Sequence, residues 1–172
     1  TFKNAYIFGE ISNSFPGKTA VLSGLLINLS PAISASTLYR NYPIKFYNRF
    51  SNAIGENSTN QNEEGLLIGL NIQFNKSLKF SLYQDEFKFP WLKFRVHKPE
   101  RGREFRAQVD FTPTKTSKFT IRFKSSEKPL NHDLLQGVPE IHTVQNQNIR
   151  IQGSANLSNK ISAQSGLQYT TF

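Results

Sequence analysis

The chain has 172 residues, enough for one domain of ordinary size, with a formal net charge of +9 and a pI near 9.9. It has no cysteine, which excludes a disulfide framework, a thiol nucleophile and a cysteine-based zinc site. Hydrophobic residues make up 37%, and no run approaches the roughly 20 apolar residues of a membrane helix; a transmembrane β-barrel escapes that exclusion, because only every second strand residue faces lipid.

Ala5, Ile7, Gly9 and Ile11 alternate with Tyr6, Phe8 and Glu10, which predicts a first strand ending before Pro16-Gly17. Thr19 to Leu29 is the second, with Leu25, Ile27 and Leu29 on one face and Leu22 and Leu26 on the other, the pattern of a strand buried on both sides. Pro31 turns the chain, and a third strand runs from Ile33 to Tyr42. Leu66, Ile68, Leu70, Ile72 and Phe74 oppose Leu67, Gly69, Asn71 and Gln73 in the clearest alternation of the chain. Leu78, Phe80 and Leu82 then oppose Lys79, Ser81, Tyr83 and Asp85. Phe105, Ala107, Val109 and Phe111 oppose Arg106, Gln108, Asp110 and Thr112, and Phe119, Ile121 and Phe123 oppose Thr120, Arg122 and Lys124. Two further runs, about 144–156 and 161–171, alternate less sharply, with Ile149 and Ile151 against Arg150 and Gln152. Period two over so much of the chain predicts about nine antiparallel strands and no helix.

Short turns at Ser30-Pro31-Ala32, Asn75-Lys76-Ser77, Pro113 to Lys118 and Ser158-Asn159-Lys160 alternate with long connections at about 43–65, 86–104 and 128–143. Tight turns at one end and long loops at the other are the layout of an outer-membrane barrel wall, with the tight turns periplasmic and the long loops outside. The apolar runs approach the length that spans the hydrocarbon when tilted. Phe74, Phe80, Phe111 and Phe119 fall on the apolar parity beside the short turns, where an aromatic girdle would sit; ordinary packing at strand ends would give the same pattern. The expected fold class is therefore all-β, antiparallel up-and-down strands forming part of a transmembrane β-barrel, with residues 1–172 a segment of one barrel domain. The opening Thr1 fits a processed end or an excerpt, and the absence of Met favours a piece of a longer chain.

Two segments stand out for their motifs in loops as well as strands. One runs from Tyr39-Arg40-Asn41-Tyr42 through Phe46-Tyr47-Asn48-Arg49-Phe50 and Ala53-Ile54-Gly55-Glu56-Asn57-Ser58 to Asn62-Glu63-Glu64-Gly65-Leu66. The other is Asp85-Glu86-Phe87-Lys88-Phe89-Pro90-Trp91-Leu92-Lys93-Phe94-Arg95-Val96. Together with Phe8-Gly9-Glu10 and Glu127-Lys128-Pro129, these segments resemble the barrel region of a Bacteroidota envelope family of helix-hairpin-helix domain-containing proteins, over roughly residues 5–130. The resemblance implies an outer-membrane location and a larger barrel, with the helix-hairpin-helix repeats outside this chain. It implies no established activity.

The chemistry-bearing residues do not make an enzyme. His97, His132 and His142 read as loop residues; there is no HExxH and no Gly-rich phosphate loop, and Asp85 and Glu86, adjacent on a strand, point to opposite faces. His132-Asp133 is too little for a metal site, so no catalytic residue, metal or cofactor is expected. Lys79, Arg106, Arg122, Lys124 and Arg150 take the polar parity, where they would line a wet lumen and favour anions; the solvent face of a soluble sheet would hold them equally well. Lys88, Phe89, Trp91, Lys93, Phe94 and Arg95 interleave bases with aromatics, a composition suited to single-stranded nucleic acid. The simpler reading makes this stretch a rim loop anchored by Phe89-Pro90-Trp91. The leading expectation is a non-enzymatic barrel that conducts a solute or macromolecule or anchors a periplasmic helix-hairpin-helix domain. Its partners are membrane lipid and, as further candidates, nucleic acid or other envelope proteins. A soluble β-sandwich or barrel binding an acidic ligand such as nucleic acid or glycan, and a structural subunit of an envelope complex, are the alternatives.

Overall fold

Alternation along the chain is converted into one continuous ladder. In the computed structural model, residues 4–14, 17–48, 53–57, 59–93, 98–132, 140–158 and 161–172 are described, with backbone alone for 130–132, 140–142 and 157–158. The strands are β1 (Ala5–Ser14), β2 (Lys18–Ser30), β3 (Ile33–Tyr42), β4 (Glu63–Gln73), β5 (Leu78–Phe89), β6 (Glu100–Thr114), β7 (Ser117–His132), β8 (Glu140–Ser158) and β9 (Ile161–Thr171). They form a single nine-stranded sheet in sequence order, each strand antiparallel to the next. Such a meander needs only hairpins, and the tight ones are built by local polar side chains. Asn75 accepts the backbone N–H groups of Ser77 and Leu78 at 2.8 and 2.9 Å, and Ser30 Oγ accepts that of Ala32 at 3.2 Å.

The strands run further than the apolar pattern suggests. The long connections are 43–62, 90–99 and 133–139, because the ladders continue through residues charged on both faces, such as Glu100 to Glu104 and Glu127 to Lys128. A hydrogen-bond ladder needs backbone, not an apolar side chain, so periodicity understates its length. His132 and His142 consequently belong to β7 and β8 rather than to loops; His97 lies outside the described residues. Pro113 is inside β6, at a register shift between Phe111 and Thr114 where its missing N–H costs no ladder bond.

Pairing fixes the two faces. Tyr39, Leu66, Glu86 and Arg103 lie opposite one another in turn, and so do Ile33, Ile72, Phe80 and Val109. This face carries the apolar series, including Phe111 opposite Phe119. Among the described residues no second layer covers it: Leu66 is 44% exposed, Ile68 52% and Ile151 48%. The same openness corrects the expectation for β2, which is not buried on both sides; Leu26 is 46% exposed. The small buried cluster of Ala20, Tyr42 and Phe46, with Ala53 against it, sits instead where the β3–β4 connection folds back over the polar face.

Candidate functional site

The opposite face is polar. The register places Lys79, Arg106, Arg122, Lys124 and Arg150 together on it, through the pairs Lys79–Asp110, Arg106–Lys124, Gln108–Arg122 and Arg122–Arg150. Two carboxylates are woven into this basic field. Glu104, nearly buried, reaches Lys124 at 2.7 Å and Arg106 at 3.4 Å. Asp110 accepts from Thr120 at 2.7 Å, from Gln108 at 2.8 Å and from Lys118 at 3.2 Å.

Nearer the long-loop end stands a feature that strand periodicity does not reveal. Arg40 is wholly buried between two buried carboxylates. Its Nε donates to Glu63 at 2.6 Å, and its two terminal nitrogens donate to the two oxygens of Asp85 at 2.8 and 2.9 Å. The three residues come from three neighbouring strands, so Arg40 must cross β4 to reach β5. Gly65, its direct partner on β4, makes the crossing possible: a methyl there would stand 2.7 and 2.8 Å from the terminal nitrogens.

Glu63 also holds the β3–β4 connection. The backbone N–H groups of Glu56 and Asn57 donate to its carboxylate at 2.9 Å each. Tyr42 donates to the Ile54 carbonyl at 2.9 Å, and Lys128 on β7 pairs with Glu56 at 2.5 Å. Asn62, with φ of 54°, clasps the next connection, accepting from Trp91 N–H at 2.8 Å and donating to the Trp91 and Leu92 carbonyls at 2.9 and 3.1 Å. The described part of this loop is thus fastened from β3 across to β7 on the polar face.

In comparisons with known proteins, no protein-family model, curated protein or solved structure matches the chain.

The basic-aromatic stretch does not assemble into one surface. Phe89 is 1% exposed, Lys88 points to the apolar side and pairs with Glu64 at 2.9 Å, and Lys93 lies over the Phe89 ring at 3.4 Å. Burial pushes the Lys93 ammonium below the ordinary lysine value, helped by Lys128 and opposed by Glu63 and Glu56. Trp91 is held by its backbone and is 55% exposed. Phe94 and Arg95 lie outside the described residues. Among the described residues no group of His, Cys, Asp and Glu is arranged to hold a metal ion, and no helix is long and apolar enough to cross a membrane.

A sequence signal for the clamp did exist. Arg40, Glu63 and Asp85 fall on the polar parity of three successive strands, with Gly65 opposite the arginine. Reading it requires the strand register, which periodicity alone does not supply.

Proposed function

We propose that this chain is part of the wall of a bacterial outer-membrane β-barrel, that its polar face borders the lumen, and that it conducts a solute, with a preference for anions. The observation that carries the reading is the bare apolar face and where it stops. From Leu66 on β4 to Phe74 just past its end it runs about 27 Å along the chain and about 21 Å at a 40° tilt, against an apolar band of about 25 Å. Phe74, Phe111 and Phe119, all substantially exposed, stand at its short-turn border. At the other border the same face turns charged, with Glu64 to Lys88 at 2.9 Å and Arg103 to Glu127 at 2.7 Å. A soluble sheet has no reason to leave an exposed apolar band between an aromatic level and a charged level; lipid does.

Lipid also demands partners for the edge strands β1 and β9. Both run toward the long-loop end, so antiparallel closure takes an odd number of further strands and gives an even total. Those strands belong to a larger barrel of which this wall is a segment. Anchoring a periplasmic helix-hairpin-helix domain, as the family resemblance implies, is compatible with the same wall. The soluble nucleic-acid or glycan reading loses its stacking platform with Phe89 buried and Lys88 on the opposite face.

The test is reconstitution, in a planar bilayer, of the complete barrel that contains this wall. Changing Lys79, Arg106, Arg122, Lys124 and Arg150 together to Glu is expected to reverse ion selectivity. Unchanged selectivity would remove these residues from the pathway, and a complete protein that stays in the aqueous phase without detergent would remove the barrel.

A further inference from the structure

Two like-charged pairs face each other directly across neighbouring ladders of the polar face, Arg106 opposite Lys124 and Arg122 opposite Arg150. Directly opposed like charges, with Cβ atoms about 4.5–5.5 Å apart, are destabilising. The first pair is reconciled by the protein, because Glu104 reaches both members. On the other side, Lys79 stands opposite an acid rather than a base in the register, Asp110, whose ion-pair partner is Lys118.

The row between has no such remedy. It reads Ser81, Gln108, Arg122, Arg150 and Gln168 in consecutive register, bases and amides without an acid. Gln108 spends its amide N–H on Asp110 at 2.8 Å and turns its carbonyl to accept from Arg122 Nε at 2.9 Å. That contact orients the Arg122 guanidinium and leaves its two terminal amino groups for another acceptor. Among the described residues neither Arg122 nor Arg150 has a carboxylate at ion-pairing distance. Arg122 is half-buried and Arg150 exposed, so the pair is open from the polar side.

We infer that Arg122 and Arg150 form a binding site for a phosphate group, which takes the place between them that Glu104 takes one row away. The location of the site in a lumen rests on the barrel reading; its chemistry does not. Two guanidinium forks supply bidentate donors and two positive charges, a match for a phosphate dianion rather than a monovalent carboxylate. Gln108 positions Arg122, and Gln168, opposite Arg150, offers a further amide donor. The five basic residues are therefore not equivalent, and this pair is the one that calls for an ion from solution.

The experiment is calorimetric titration of the complete barrel that contains this wall, in detergent micelles, with inorganic phosphate at low ionic strength and acetate as the comparison. Wild type and Lys79→Gln are expected to bind phosphate alike, acetate at least tenfold more weakly, and Arg122→Gln and Arg150→Gln to lose at least tenfold in phosphate affinity. Folding is followed in the same samples. Without phosphate, Arg150→Gln should unfold at a temperature no lower than wild type, because a like-charge contact is removed; added phosphate should raise the wild-type midpoint and leave that of Arg150→Gln in place. No phosphate binding to wild type, unaltered affinity in Arg150→Gln, or equal binding of acetate would each overturn the assignment. Phosphate binding by a protein that fails to insert into bilayers even with its remaining barrel strands present would overturn the barrel and leave the site; an inserted barrel blind to phosphate would do the reverse.

Discussion

Replacing Arg40 by Met tests whether the buried clamp organises the long-loop end. Methionine keeps an unbranched chain over Gly65 but removes three hydrogen bonds, of 2.6, 2.8 and 2.9 Å. The two carboxylates do not suffer equally. Glu63 retains the N–H groups of Glu56 and Asn57, whereas Asp85 loses both contacts that Arg40 makes to it. Removing one partner from a buried ion cluster costs about 3–5 kcal/mol, because a charge is left buried without compensation. The retained amide contacts place Arg40→Met toward the lower end, about 3 kcal/mol. Removing Asp85 as well, in Arg40→Met/Asp85→Leu, should recover much of that loss. Trp91 is the only tryptophan, and its backbone is gripped by Asn62 beside the clamp, so its fluorescence reports this region during urea unfolding from lipid vesicles. A single variant within about 0.5 kcal/mol of wild type, or a double variant no better than the single, would refute the reasoning.

The same geometry makes two further outcomes testable. Gly65→Ala should destabilise by about 1–3 kcal/mol in the same urea assay, since the added methyl meets a guanidinium fixed on both sides. Ile68→Arg, mid-band on the apolar face, should cost about 2–4 kcal/mol in vesicles, whereas Ser81→Arg on the polar face should cost little; equal effects would mean that both faces meet the same solvent.

The strand framework was legible because one face of each strand is apolar: Leu66 to Phe74 and Phe105 to Phe111 declare their parity without help. Strand ends were not, because Glu100 to Glu104 and Lys128 to His132 extend the ladders through residues with no alternation. β2 misled for a different reason. Leu22 and Leu26 look like a second core face; Leu22 instead lines a cavity of about 360 Å³ shared with Tyr42, Phe46 and Ile54, and Leu26 stays exposed. On the polar face the bases were readable residue by residue, but their partners were not. Arg40 with Asp85, Lys128 with Glu56 and Asn62 with Trp91 are contacts between residues far apart in sequence, and only the register and the folded-back loop bring them together.

The most direct measurement asks whether the bare apolar face touches hydrocarbon while the polar face touches water, and the absence of cysteine allows it to be made with single labels. A fluorophore on Ile68→Cys or Ile151→Cys in reconstituted vesicles should be quenched by brominated lipid chains and spared by aqueous iodide, and one on Ser81→Cys or Gln152→Cys should show the opposite. Quenching by iodide at all four positions, with none by brominated lipid, would contradict the account.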